Sequence, residues 1–232
     1  MESIKNNISA IKEEIKQACL KSGRSSEEIT IIAVTKTIDI ERINYAVDCG
    51  LLNLGENKVQ EIMDKYDAVD KSVKWNLIGH LQTNKVKYII DKVELIHSVD
   101  SIKLAEEISR RAEKNNLIKD VLVQINVAME ETKFGINIEE AVDFVKSASS
   151  FNNIRIKGLM TIAPYDEDVE KVRPIFRQLK KKFDELAQMN IPNTEMKYLS
   201  MGMSNDYNIA IEEGANMIRV GTAIFGKRNY NK

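Results

Sequence analysis

Short runs rich in β-branched residues alternate with amphipathic helical patterns along this chain, and few folds accommodate that rhythm. The runs are 30–36 (TIIAVTK), 51–55, 74–79, 93–97, 121–127 (VLVQINV), 154–160, 196–199 and 217–220. Between them, apolar residues recur at three- and four-residue spacing, as in Ile102, Ala105, Ile108 and Ala112, or Val172, Phe176, Leu179, Phe183 and Leu186. Asp39 and Asp100 are placed to cap helices, Asn137 and Glu140 form a capping-box-like pair, and Gly50 suits a helix stop. Pro174 belongs in a first helical turn, because an interior proline costs about 3 kcal/mol. A further helix precedes the first strand, with Ile4, Ile8, Ile11 and Ile15 on one face. It is expected to cover the barrel or a partner. Strict β/α alternation implies a parallel sheet. Eight units in 232 residues favour one domain, 1–232, folded as a closed (β/α)8 TIM barrel with an extra N-terminal helix. An open doubly wound sheet is the alternative.

With 34 basic and 35 acidic residues, the chain lacks the basic excess of a nucleic-acid binder. The first twenty residues hold no apolar run of signal-peptide length, and no stretch approaches the roughly 18 to 20 apolar residues that cross a bilayer. Cys19 and Cys49 form no CxxC pair and read as small hydrophobes in a reducing cytosol. His80 and His97 fall at strand ends without further ligands beside them, so they are expected to be hydrogen-bonded side chains rather than metal ligands.

A (β/α)8 barrel works at the C-terminal ends of its strands. Lys36, Glu56, Asn57, His80, His97, Ser98, Asn126, Thr161, Ser200, Arg219, Gly221 and Thr222 all fall there. Lys36 closes an apolar strand, and a dry setting would favour the neutral amine that attacks aldehydes. From position alone, a strand-end lysine reaching back to water remains the plainer reading. Two Gly/Ser/Thr-rich segments, 200–204 and 221–226, follow the seventh and eighth strands, where such barrels often grip phosphate. They also read as two ordinary tight turns. A lysine and a phosphate cup across one barrel mouth together suggest an aldehyde carrying a phosphate, and pyridoxal 5′-phosphate fits.

An ordered series of motifs runs through the chain: AVTKT (33–37), GENKVQE (55–61), IGHLQTNK (78–85), HSVD (97–100), KFG (133–135), GLMTIAP (158–164), LSMGMSNDY (199–207) and RVGTAIFG (219–226). In these motifs the chain closely resembles the pyridoxal phosphate homeostasis protein family, from end to end. The resemblance implies a barrel like the N-terminal domain of alanine racemase. It implies pyridoxal 5′-phosphate held as an internal aldimine on Lys36. It also implies phosphate contacts from Ser200, Gly221 and Thr222, Arg219 facing the pyridine nitrogen, Asn57 beside the ring, and Met201 packed near the cofactor. One departure is visible. The family often begins its third strand aromatic–His–Phe, whereas Trp75, Asn76 and Leu77 stand here, and this change is expected to leave the cofactor site untouched.

A permanently charged Arg219 disfavours protonation of a neighbouring ring nitrogen, and an unprotonated ring is a poorer electron sink. An ion pair inside the barrel is the alternative role for this residue. The resemblance implies vitamin B6 homeostasis and supply in the cytoplasm, with PLP-dependent apo-enzymes as acceptors and no catalytic residue assigned. A PLP-dependent racemase is the alternative, with Tyr165 or Tyr207, both in expected rim loops, as the second acid/base group. The alanine racemases complete their site with a β-rich second domain, and none follows the eighth strand, so a monomer is expected. Lys133, in KFG, is a candidate for a second, transient aldehyde site, against the plainer reading of a solvated loop lysine.

Overall fold

The computed structural model describes residues 1–226. Strands β1 (Thr30–Val34), β2 (Asn53–Glu56), β3 (Lys74–Leu77), β4 (Leu95–Val99), β5 (Lys119–Gln124), β6 (Ile154–Met160), β7 (Thr194–Met203) and β8 (Met217–Val220) pair in parallel and in chain order. β1 also pairs with β8, with Ile32 opposite Arg219, so the sheet closes and the open-sheet alternative falls away.

Helices α1 (Glu2–Lys21), α2 (Ile40–Asp48), α3 (Val59–Lys65), α4 (Val86–Ile89), α5 (Ile102–Lys114), α6 (Ala141–Ala148), α7 (Arg173–Gln188), α8 (Tyr207–Glu212) and α9 (Thr222–Phe225) surround the barrel. α1 buries Ile4, Ile8, Ile11 and Ile15. It lies across the barrel against α8, α9 and α2. Asp39 caps α2 by accepting from the Arg42 N–H, and Gly50 follows that helix with φ 93°. Pro174 sits in the first turn of α7. Asp100 does not cap α5. Ser101 does, accepting from the Leu104 N–H, and the Asp100 carboxylate lies 3.5 Å from His80 Nδ1 instead. Asn137 caps a short 3-10 turn, Ile138–Glu140, that precedes α6.

Two apolar zones follow from the period-two alternation of the strands. Ile32, Val34, Ile78, Leu95, Leu122, Met160 and Met217 fill the lumen. Their neighbours in sequence, such as Ala33, Ile96, Val123, Leu159 and Ile218, face the helices. Parity therefore sends Asn76, His97, Ser200 and Arg219 inward with the lumen set, and all four are buried. A packed lumen closes the barrel from below and leaves the C-terminal rim as the place for a ligand.

Candidate functional site

β1 stops at Val34, and Thr35, Lys36 and Thr37 turn over the rim. Lys36, half-buried there, lines a cavity of about 420 Å³ together with Val34, Ser204, Arg219, Gly221 and Thr222. That volume suits a small organic molecule. Lys133 reaches the same cavity from the loop after β5, its ammonium 2.6 Å from Glu130 Oε1. Tyr165, from the loop after β6, also lines it and is 77% exposed.

The rim above β7 is displaced from where the sequence suggests. The strand continues through Gly202 to Met203. Gly202 has φ 90°, and a Cβ there would lie 2.6 Å from Ala210 Cβ and 2.9 Å from Tyr207 Cα. This glycine admits α8 against β7; it does not make the turn. The rim hydroxyl is consequently that of Ser204, whose Oγ accepts from the Gly221 N–H at 3.3 Å and the Ala223 N–H at 3.4 Å. A Cβ on Gly221 would press on Val34 Cβ at 3.2 Å, so the chain needs its glycine to come this close to β1. Two backbone donors converging on one hydroxyl, beside a cavity carrying a lysine, suit a phosphate oxygen. The residues present thus fit a phosphorylated aldehyde.

Lys36, Arg219, Gly221 and Thr222 come together as the sequence suggests, and Ser200, Met201 and Asn57 do not join them. Ser200 is buried below the cavity, with its hydroxyl 2.7 Å from Arg219 Nη1 and 3.2 Å from His97 Nδ1. Met201 alternates to the outer face of β7 and packs in the strand–helix core. Asn57 lines a separate hollow with Lys58, Gln60, His80, Gln82 and Tyr88. Tyr207 is not on a rim loop: it opens α8, is buried, and donates its hydroxyl to Glu14 of α1. Burial, and then that carboxylate, raise its phenol pKa far above the usual range.

Arg219 forms the floor. It donates to Ser200 Oγ and to the Thr161 carbonyl, each at 2.7 Å. Burial draws its guanidinium down to about 10, partly offset by Asp206, so it remains a cation at neutral pH. His97 is wholly enclosed. Burial first, and then the charge of Arg219, hold its imidazole well below the ordinary value. Its Nε2 lies 3.2 Å from Asn76 Oδ1. The departure at Asn76 is therefore linked to Arg219 through His97 and Ser200, although Asn76 itself does not line the cavity. His80 stacks on Phe134 with centroids 3.8 Å apart. Among the described residues no group of three or more His, Cys, Asp or Glu side chains could hold a metal ion, and no helix is long and apolar enough to cross a membrane.

Sequence reasoning missed what holds the lysine turn. Thr37 has φ 63°, an unusual conformation for a β-branched residue. Its N–H donates to Glu61 Oε2 at 2.7 Å. Lys65 donates to the Thr35 carbonyl at 2.8 Å, to Glu56 Oε1 at 2.7 Å and to Glu61 Oε2 at 3.2 Å. The Thr35 hydroxyl adds a 2.7 Å bond to Glu56 Oε1. Burial pushes the Glu56 carboxyl up despite these bonds. Glu61 is also raised by burial, but the Thr37 N–H and Lys65 outweigh it and hold its carboxyl low. The i,i+4 spacing of Glu61 and Lys65 was the available signal.

Residues 2–229 match the family model described as alanine racemase, N-terminal domain. The chain is 46% identical to a pyridoxal phosphate homeostasis protein of Aquifex aeolicus over 96% of this chain and 97% of that one. It is 33% identical to the protein of the same name from Escherichia coli, over 100% of both chains. Among solved structures, PipY of Synechococcus elongatus with PLP bound is 30% identical, with a TM-score of 0.83 over 96% of this chain and 100% of that one.

Proposed function

This chain belongs to the pyridoxal phosphate homeostasis protein family, built on the alanine racemase N-terminal domain, and from that premise we propose that it holds pyridoxal 5′-phosphate covalently on Lys36 and serves vitamin B6 homeostasis without ordinary catalytic turnover. One observation carries the reading: Lys36, the Ser204–Gly221–Thr222 cup and the buried Arg219 share a single cavity. Bound there, the cofactor supplies an aldehyde that condenses with a primary amine and a ring whose nitrogen governs electron withdrawal. Lys36 provides the amine. The Gly221 and Ala223 N–H groups, the Ser204 hydroxyl and Thr222 hold phosphate, with Ser204 taking the part that the resemblance gave to Ser200. Arg219, kept cationic and fixed by two hydrogen bonds, would oppose a proton on the ring nitrogen that the resemblance sets against it. Asn57 and Met201 have no direct part in this arrangement.

The absence of turnover rests on the same charge. An arginine at the ring nitrogen weakens the electron sink that racemisation and transamination need. Of the two tyrosines considered for a racemase, Tyr207 is committed to Glu14. We place the protein in the cytoplasm as a monomer that supplies PLP-dependent apo-enzymes, with Lys133, which lines the same cavity, as a candidate second, transient aldehyde site. Borohydride reduction of the reconstituted protein, followed by peptide mass mapping, should find the added mass on Lys36. Conversion of L- to D-amino acid at enzyme-like rates would defeat the carrier reading and leave cofactor binding standing.

The cup makes its own forecast. Ser204→Ala removes a hydroxyl that gathers two N–H groups. Pyridoxal 5′-phosphate should bind about tenfold more weakly, the effect of one hydrogen bond to a charged group, whereas phosphate-free pyridoxal should bind unchanged. Equal loss for both aldehydes would remove Ser204 from the cup.

A further inference from the structure

Four buried side chains from four strands form a continuous polar line across the lumen: Asn76 on β3, His97 on β4, Ser200 on β7 and Arg219 on β8. Hydrogen-bond accounting fixes each proton along it. The Asn76 amide nitrogen donates to the Leu54 carbonyl at 3.2 Å and the Lys74 carbonyl at 3.0 Å. Its Oδ1, an acceptor only, therefore faces His97 Nε2 at 3.2 Å, so that nitrogen must carry a hydrogen. The imidazole is enclosed and neutral, which leaves Nδ1 as a lone pair. Ser200 then has one way to satisfy Nδ1: its hydroxyl donates to it, across 3.2 Å. With its hydrogen committed, the Ser200 oxygen offers lone pairs to Arg219 Nη1 at 2.7 Å. The second arm of Arg219 is held independently by the Thr161 carbonyl.

We propose that Asn76 is a positioning residue for Arg219: by fixing the tautomer of His97, it draws the Ser200 hydroxyl hydrogen to Nδ1 and so turns the Ser200 lone pairs toward Arg219 Nη1, setting the guanidinium at the floor of the cavity. None of the three relay residues lines that cavity. They act on Arg219 through the order of their protons. The charged group facing His97 is Arg219, with Asp206 the acidic neighbour that acts on Arg219 in turn. A second proton on His97 would put two cations at either side of one hydroxyl. The consequence at the ring nitrogen rests on the cofactor reading above, whereas the proton order in the lumen does not.

The chain has 2 histidines, so ¹⁵N-histidine NMR of the cofactor-free protein reads the relay directly, His80 serving as the internal comparison. His97 should show the neutral Nε2–H tautomer at neutral pH. Asn76→Asp should keep the Nε2–H but move imidazole protonation to higher pH than in the parent, because a carboxylate beside Nε2 favours the cation. Asn76→Leu should release the tautomer and weaken pyridoxal 5′-phosphate retention about fivefold to tenfold, the fold-change of one hydrogen bond. The absorbance of the bound chromophore should also shift relative to the parent protein. An Nδ1–H tautomer in the parent protein would overturn the proposal even if neither variant folds. So would an Asn76→Asp variant whose His97 signals match the parent. A correct tautomer in a protein that takes up no pyridoxal 5′-phosphate would sink the cofactor reading alone.

Discussion

Lys36→Ala is expected to abolish the borohydride-fixed adduct completely and to weaken retention of pyridoxal 5′-phosphate by about a hundredfold, roughly 2.7 kcal/mol. The barrel should be unaffected. Lys36 lies beyond the end of β1, in the turn over the rim, and the apolar lumen below is built from other residues. The cup at Ser204, Gly221 and Thr222 also remains in the variant. Residual, reversible binding sensitive to inorganic phosphate should persist. The measurement is intact-protein and peptide mass after reduction, beside equilibrium dialysis without reductant. Lys133 is the internal control, because it lines the same cavity and is paired with Glu130. If the mass increment survives in Lys36→Ala and maps to Lys133, the assignment of the principal amine is wrong.

Lys65→Met should produce the largest loss of stability, about 3 to 5 kcal/mol at pH 8, because it leaves a buried carboxylate without its cation. Glu56 is 0% exposed, and its second oxygen, Oε2, has no hydrogen-bond partner. The sign of the pH dependence follows from its direction of shift. Glu56 has a raised pKa in the folded protein, so the fold binds a proton that the unfolded chain releases at ordinary carboxylate pH. Stability drawn from that proton is greatest at low pH and is lost as pH rises through the folded pKa. Without Lys65 the shift grows, and the deficit should shrink between pH 8 and pH 5.5. Chemical denaturation at the two values measures it. Adding Glu56→Leu should recover much of the loss, since an apolar replacement of a buried pair is often neutral. A pH-independent deficit would show that packing of the Lys65 stem, not charge, is at issue. Because Lys65 also holds the Thr35 carbonyl and orients Glu61 beneath Thr37, the single variant should react more slowly with pyridoxal 5′-phosphate at Lys36.

The barrel was legible because parallel strands buried on both faces read as apolar runs, and helices facing a barrel keep one apolar stripe. That Lys36, Arg219, Gly221 and Thr222 share a cavity was legible because each lies at or just beyond the C-terminal end of a strand run, which is where barrel chemistry sits. Ser200 and Met201 lie away from the cavity for one reason: Gly202, which the sequence suggests as part of a turn, is a site of close approach inside a strand that runs on to Met203. Moving the rim along the chain replaces Ser200 with Ser204. Asn57 lines a separate hollow, and a position after a strand does not say which hollow of the rim a side chain enters. The neutral relay from Asn76 to Arg219 was invisible for a different reason. Its members lie on four strands, and only the closed register brings them together. Asp100 and Ser101 show how one residue of ambiguity at a helix start exchanges a cap for a contact with a neighbouring imidazole.

The short helix α9 is held by elements made well before it: Asn7 of α1 donates to the Ile224 carbonyl at 2.9 Å, and Arg42 of α2 donates to that of Phe225. A ribosome makes Lys36 before the turn proposed to grip phosphate. On that reading, the amine exists during synthesis without the elements that would retain its ligand until that turn is made. The nascent chain should pass through that interval empty, and vitamin capture should begin abruptly, when α9 docks on α1.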